Sequence, residues 1–185
     1  MSLPSGPNLH LYSRCDLKKE LYVTKIYLVS SALSYRKWAR RLPTPSDIVL
    51  EVGCSFGRTT QILVGTAKQV FAFDHSNKLM KTVQTDLNAY DNLKIFTHDA
   101  RDIYGLKAMI PDIDVIFLDV GGSTPSHQVV YLMTLYISAF NPRIFVVRNI
   151  PLAEMFAGLQ QTEITSDQRR FGKYSRLPSQ MEIFE

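Results

Sequence analysis

Asp47-Ile-Val-Leu-Glu-Val-Gly-Cys-Ser-Phe-Gly-Arg-Thr-Thr60 decides the fold. Residues 48–52 are an apolar, β-branched run, which predicts a strand; it carries an acid, Glu51, near its end. Gly53 and Gly57 follow at a spacing that permits backbone angles and close approaches a Cβ would block. A helix is predicted over 58–64, with its first amides facing whatever sits over the turn. In an open α/β sheet, ligands bind beyond the carboxyl ends of the strands where the winding direction reverses. The turn at 51–57 is therefore placed to touch a ligand.

Outward from that turn the chain alternates short apolar runs with amphipathic segments, the pattern of a parallel sheet covered on both faces. Strands are predicted at 48–52, 69–73, 93–96, 115–118 and 144–147, and helices at 58–64, 76–89, 101–109, 125–140 and 151–159. Ser123 or Thr124 would cap the fourth of these helices, with Pro125 in its first turn and Asn141-Pro142 ending it. Before the core, residues 16–42 are rich in helix formers, with Leu17, Leu21, Leu28, Ala32 and Leu33 near helical spacing. Residues 1–44 are thus expected to form a helical N-terminal extension and 45–185 the core. Residues 163–185 lack a helical period and suit an antiparallel hairpin on the sheet edge.

The spacing at the turn discriminates between ligands. A dinucleotide fold asks for G-x-G-x-x-G, and here Ser55 stands at the second position and Arg58 at the last. Glu51-x-Gly53-x-Ser55-x-Gly57 instead resembles the E/D-x-G-x-G-x-G motif of class I S-adenosylmethionine-dependent methyltransferases, with Ser55 in place of the middle glycine. Three further segments fit that resemblance. Val70-Phe-Ala-Phe-Asp-His-Ser76 ends a strand in an acid roughly 20 residues past the turn, where a ribose-binding carboxylate is expected. Thr97-His-Asp-Ala-Arg-Asp102 resembles the segment whose acid meets the adenine amino group, and Asp114-Val-Ile-Phe-Leu-Asp-Val-Gly-Gly122 puts Asp119 where the family places groups beside the reactive methyl.

The resemblance implies a Rossmann-like fold, a mostly parallel seven-stranded sheet with helices on both faces. It implies S-adenosyl-L-methionine as cofactor, held by Glu51, Gly53, Cys54, Ser55, Gly57, Asp74, His75, Asp99, Ala100 and Asp119. Asp102 is expected to cap the next helix. Methyl transfer from a sulfonium is an in-line displacement from an already activated leaving group, so alignment does most of the work, about 7–11 kcal/mol in well-oriented systems. Few dedicated catalytic groups are needed, and Asp119 with Arg148 are the candidates. The pair resembles, in part, the acid and base of ribose 2′-O-methyltransferases, although arginine does not readily give up a proton. His127 is a lone helical histidine and reads as solvent-facing.

The acceptor is narrowed by absences. No N/D-P-P-Y/W follows the fourth predicted core strand, which argues against an adenine amino group, and no Pro-Cys stands there for cytosine C5 chemistry. A hydroxyl or other heteroatom is expected. RNA and small molecules both remain open as substrates, as do a non-catalytic cofactor-binding protein and an aminopropyltransferase-like enzyme. RNA would engage Lys18, Lys19, Lys25, Arg36, Lys37, Arg40 and Arg41, interleaved with aromatic residues, and the basic C-terminal stretch of Arg169, Arg170, Lys173 and Arg176.

Composition sets the outer limits. At 185 residues and 45% apolar content the chain can bury one real core. A net charge of +4 permits a polyanionic partner without requiring one. Cys15 and Cys54 form neither a disulfide framework nor a zinc pattern. No stretch approaches the roughly 18–20 apolar residues of a membrane span. A cytoplasmic setting with no metal and no membrane partner is the resulting expectation.

Overall fold

The computed structural model describes residues 23–160 and 181–183. Thirteen elements follow in order: β1 (Lys25–Val29), α1 (Ala32–Ala39), β2 (Ile48–Val52), α2 (Thr60–Leu63), β3 (Gln69–Asp74), α3 (Asn77–Asp86), β4 (Leu93–Thr97), α4 (Ile103–Met109), β5 (Val115–Leu118), α5 (Ser126–Phe140), β6 (Ile144–Arg148), α6 (Ile150–Gln160) and β7 (Met181–Ile183). The seven strands form one sheet in the order β4-β3-β2-β5-β6-β1-β7. Every pairing in it is parallel. The chain winds outward from β2 to β4, then returns to the other side of β2 with β5, so the direction reverses between β2 and β5. Glu51 pairs with Phe117 and Val52 with Leu118 across that junction.

Two apolar layers hold the sheet. On one face Leu50, Val52, Phe73, Ile116, Leu118 and Val147 pack with residues of α4, α5 and α6. On the other Val49, Val70, Ala72, Phe117 and Val146 pack with α1, α2 and α3. Side chains alternate along a strand, so Glu51 shares the second face with Val49 and is carried into the interior beneath α1. Fully burying an aliphatic or phenyl side chain is worth about 1.5–3 kcal/mol, and the doubly covered strands supply many such groups.

The N-terminal segment departs from expectation. Lys25–Val29 is a strand, not helix, and lies inside the sheet between β6 and β7. The run Ile26-Tyr-Leu-Val29 is aromatic and β-branched, and with both sheet faces covered it needs no alternation to be buried. Residues 25–44 are accordingly part of the core architecture, with α1 the only helix among them. No antiparallel hairpin occurs among the described residues: β7 runs parallel to β1, with Ile26 opposite Met181. Cys15, Lys18, Lys19 and the basic stretch 169–176 lie outside the described residues.

Caps fix the elements that surround the sheet's carboxyl edge. Ser31 accepts from Ser34 N at 3.0 Å, Ser76 from Leu79 N at 3.4 Å, and Asp102 from Gly105 N at 2.9 Å. Asp102 thus caps α4, as expected. Thr124 does not cap α5; its hydroxyl donates to Val120 O at 2.8 Å, and Pro125 takes the cap position. The helix after β2 is a single turn, far shorter than the 58–64 expected. No helix among the described residues is long and apolar enough to cross a membrane.

Candidate active site

The turn after β2 is held by its neighbours' backbone. Gly53 N and Cys54 N both donate to Phe73 O, at 2.9 and 3.0 Å, and Gly57 N donates to Cys54 O at 2.9 Å. Three residues adopt left-handed angles: Gly53 at φ 83°, Ser55 at φ 48° and Gly57 at φ 71°. At Gly53 a Cβ would stand 2.0 Å from the Asp119 carbonyl oxygen, so only glycine lets β2 and β5 end this close. Ser55 adopts the conformation that the motif's middle glycine would supply without strain.

Asp74, at the end of β3, is nearly buried. Its carboxylate accepts from Ser55 N at 3.2 Å and from Ser76 N at 3.1 Å, and His75 Nδ1 stands 3.1 Å away with the His75 ring in solvent. The strand end therefore ties the first turn to the second, with lone pairs left over for a ligand.

A cavity of about 350 Å³ opens over these strand ends. Gly53, Ser55, Asp74 and His75 form one side, Phe73, Leu79 and His98 an apolar and aromatic stretch, and Asp119, Val120, Gly121 and Arg148 the far end. His98 packs edge-on against Phe73 at 5.4 Å, and its Nε2 lies 2.8 Å from Asp102 O. Ala100 joins the wall, and its carbonyl accepts from the buried Tyr136 hydroxyl at 3.0 Å, which anchors the segment to α5.

Asp99 is turned away. Its carboxylate is taken by Arg101, with Nη2 at 2.7 Å, Nε at 3.0 Å and the Arg101 backbone N–H at 2.9 Å, and it is absent from the cavity wall. These hydrogen bonds hold its carboxyl down to about 2. Of the two residues expected from this segment, Ala100 lines the cavity and Asp99 does not, and His98 lines it as well. The aromatic contact that fixes His98 comes from β3 and β4 together, so nothing local in the sequence marks it.

Asp119 and Arg148 form a bidentate pair at the far end, Nε to Oδ2 at 2.6 Å and Nη2 to Oδ1 at 2.9 Å, both largely shielded. Gly122 makes room for the guanidinium, since a Cβ there would stand 2.5 Å from Arg148 Nη1. The neighbouring Asn149, fully buried, donates to Thr124 O at 2.7 Å and caps α6 by accepting from Leu152 N at 2.9 Å. Asn149 thereby fixes the loop that follows Asp119. Its role was missed because its partners lie on a different strand end.

The remaining motif residues lie behind the turn. Glu51 is buried, accepts from the Thr60 hydroxyl at 2.6 Å, and has its carboxyl pushed up to about 7 by burial. The Cys54 thiol faces Met80 Sδ at 3.5 Å, and burial drives its pKa well up, so it is not a nucleophile. Glu51 and Cys54 line a second cavity, of about 290 Å³, beneath α1. Gly57 lies against Val83 and Leu87, where a Cβ would stand 2.7 Å from Val83 Cγ1. His127 is exposed and lines neither cavity.

The profile of the ribosomal RNA adenine dimethylase family matches residues 17–162. The chain belongs to that family. Members of the adenine dimethylase family are class I S-adenosylmethionine-dependent methyltransferases, and the cavity suits that cofactor: a shielded carboxylate for hydroxyls, a flat apolar stretch for a ring, and a glycine at the closest approach. The chain is 32% identical over 84 residues to a probable cobalt-precorrin-6B C(15)-methyltransferase of Methanothermobacter thermautotrophicus, covering 44% of this chain and 41% of that protein. It is 30% identical over 96 residues to the ribosomal RNA small subunit methyltransferase A of Thermotoga maritima, covering 46% and 34%. It thus spans less than half of these curated relatives. Among solved structures, precorrin 8W decarboxylase of Methanobacterium thermoautotrophicum superposes with a TM-score of 0.52 at 22% identity, covering 77% of this chain and 73% of that one. The 23S rRNA methyltransferase ErmE superposes with a TM-score of 0.50 at 17% identity, over 76% and 55%. Both likenesses concern the fold, and they agree with the α/β architecture expected. The family's description names adenine, so membership speaks against using the missing N/D-P-P-Y/W segment to favour a hydroxyl.

Proposed function

We propose that this chain transfers a methyl group from S-adenosylmethionine to a heteroatom of an RNA nucleotide. The observation that carries the reading is Asp119, locked by Arg148 at the end of the cavity opposite Asp74. Asp74 would accept hydrogen bonds from the cofactor's ribose hydroxyls, each worth about 1.5–3 kcal/mol for a charged acceptor. Phe73, Leu79 and His98 would offer the apolar surface for its adenine ring. When bound, the cofactor supplies a methyl group on a positively charged sulfur. Asp119 would accept a hydrogen bond from the acceptor's N–H or O–H and so orient the acceptor heteroatom's lone pair. Arg148 fixes both carboxylate oxygens, so Asp119 acts chiefly by orientation, the dominant need of an in-line transfer.

Family membership over residues 17–162 favours an RNA acceptor. A corrinoid-like small molecule is a second reading, favoured by the 32% identity to the cobalt-precorrin enzyme. One experiment separates them: incubate the protein with methyl-labelled S-adenosylmethionine and either total RNA or an extract of small metabolites, then count transfer to each. Label in RNA that is lost in Asp119→Asn, with the calorimetric Kd for S-adenosylhomocysteine within about threefold of wild type, is the expected result. Label only in the metabolite fraction would establish the second reading. No binding of S-adenosylhomocysteine to wild type would sink both.

A further inference from the structure

The second cavity, between α1 and the 54–59 turn, has walls unlike the first. Arg36 of α1 and Arg58 of the turn both line it. The Nε of Arg36 and the hydroxyl of Tyr35 are buried and have no hydrogen-bond partner among the described residues, and Tyr35 as a whole is only 2% exposed. A buried donor left unsatisfied costs about 1–3 kcal/mol, and such groups in a folded protein call for a partner. Tyr35 lines the cavity, and its hydroxyl senses Glu51, Asp119 and Arg148, all of which line it too.

Phe56 adds a different kind of feature. It stands at the rim and is 69% exposed, a large aromatic side chain held out of the core by the left-handed Ser55 and Gly57 on either side. Arg40, one helical turn beyond Arg36 and also exposed, continues the positive line away from the cavity, its Nη1 bonded to Arg36 O at 3.2 Å. The acids nearby do not cancel this charge: Asp119 is matched by Arg148, and Glu51 carries its proton up to about pH 7. A flat ring face beside two guanidiniums suits a ligand that has an aromatic ring next to an anionic group. The cavities share Gly53, Ser55, Asp119 and Arg148, so a ligand in the second meets the first at the Asp119–Arg148 pair.

We propose that this second cavity seats the acceptor nucleotide of single-stranded RNA, with Arg36 and Arg58 on its phosphate, the Tyr35 hydroxyl donating to a phosphate or ribose oxygen, and Phe56 against a base. Arg40 takes the adjoining phosphate. The assignment rests on the RNA methyltransferase reading above and names the residues that select the acceptor.

The test uses a fluorescein-labelled oligoadenylate of about 12 nucleotides, titrated by anisotropy over about 50–200 mM KCl, with S-adenosylhomocysteine binding followed in parallel by calorimetry. The R36A/R58A double variant should bind the oligonucleotide at least about tenfold more weakly at low salt. Its slope of log affinity against log salt should be shallower by about 0.7, since the two arginines share one phosphate and each single-strand phosphate contact contributes about that much. F56A should bind about five- to a hundredfold more weakly with the slope unchanged, because stacking carries no counterion release. Both variants change side chains that are not buried in the core, and a thermal melt checks that they fold. Unchanged oligonucleotide affinity and slope in the double variant would overturn the proposal. So would a loss of S-adenosylhomocysteine affinity with RNA binding intact, which would give the cavity to the cofactor's amino-acid end. Absence of S-adenosylhomocysteine binding by wild type would instead overturn the methyltransferase reading, and the oligonucleotide titration would still decide this one.

Discussion

The two ends of the main cavity are built by different means. At the Asp74 end, the turn after β2 and the end of β3 are tied by backbone groups: Gly53 and Cys54 donate to Phe73 O, and Ser55 N donates to the Asp74 carboxylate. All of these lie within the span from β2 through α2 to the loop after β3. At the Asp119 end, the working groups are side chains from separate segments: Asp119 follows β5, Arg148 ends β6, and Gly122 makes the space between them. A backbone-built site tolerates few changes, the more so where Gly53 lies against the Asp119 carbonyl. A side-chain-built site can be retuned residue by residue, which suits a fold that keeps one donor and changes acceptors.

The largest test of this contrast is Gly53→Ala. Its Cβ would lie 2.0 Å from a carbonyl oxygen of the backbone and would also require φ near 83°. We expect a loss of at least about 4 kcal/mol of stability, with no measurable S-adenosylhomocysteine binding. A melt and a calorimetric titration near those of wild type would break the claim that the donor end is rigid.

Next in size is Glu51→Gln. Burial raises the Glu51 carboxyl from 4.5 to about 7, so the folded state binds more protons than the unfolded one between those values. Its contribution is intact below about pH 4.5 and is lost as pH rises through about 7. At about 1.36 kcal/mol per pH unit the loss amounts to about 3 kcal/mol. Denaturant melts should show E51Q gaining roughly that much on wild type between pH 4 and pH 8. A constant difference across that range would mean Glu51 is already ionised when folded.

Gly122→Ala probes the other end. The added methyl meets only the tip of a flexible arginine, so the fold should survive while the Asp119–Arg148 pair is displaced. A fall of about tenfold in kcat, equivalent to about 1.4 kcal/mol in the barrier, with cofactor affinity within about twofold, is expected from single-turnover kinetics and calorimetry. Equal losses in both would show that the two ends are not separable. The smallest effect belongs to Ser55→Gly: relief of left-handed strain, about 1–2 kcal/mol, is offset by the extra freedom of an unfolded glycine, about 0.4–1 kcal/mol. Stability should rise by no more than about 1.6 kcal/mol, and a marked fall would mean that the serine side chain holds the turn.

The same contrast governs what could be read from the sequence. The turn, the parallel sheet and Asp74 were legible because each is set by residues close together in the chain. Asp99 is held off the cavity by Arg101 two residues on, while His98 faces it through a contact with Phe73 from another strand that nothing local reveals. Lys25–Val29 was read as part of a helical stretch over 16–42 because Leu17, Leu21, Leu28 and Leu33 fall near helical spacing, and nothing local reveals the slot between β6 and β7. The buried Tyr35 hydroxyl and Arg36 Nε, and the role of Asn149, exist only once α1, β2, β5 and β6 have met.

That slot also orders assembly in time. The four-strand unit β4-β3-β2-β5 joins strands whose hydrogen-bonding partners are made soon after one another. β1 pairs with β6, more than a hundred residues later, and α1 packs on the face of the sheet that includes both strands. Such distant pairing is the slow, entropically expensive part of folding. The wall carrying Tyr35 and Arg36 thus depends on the longest-range pairing in the sheet, while the donor turn rests on shorter-range ones.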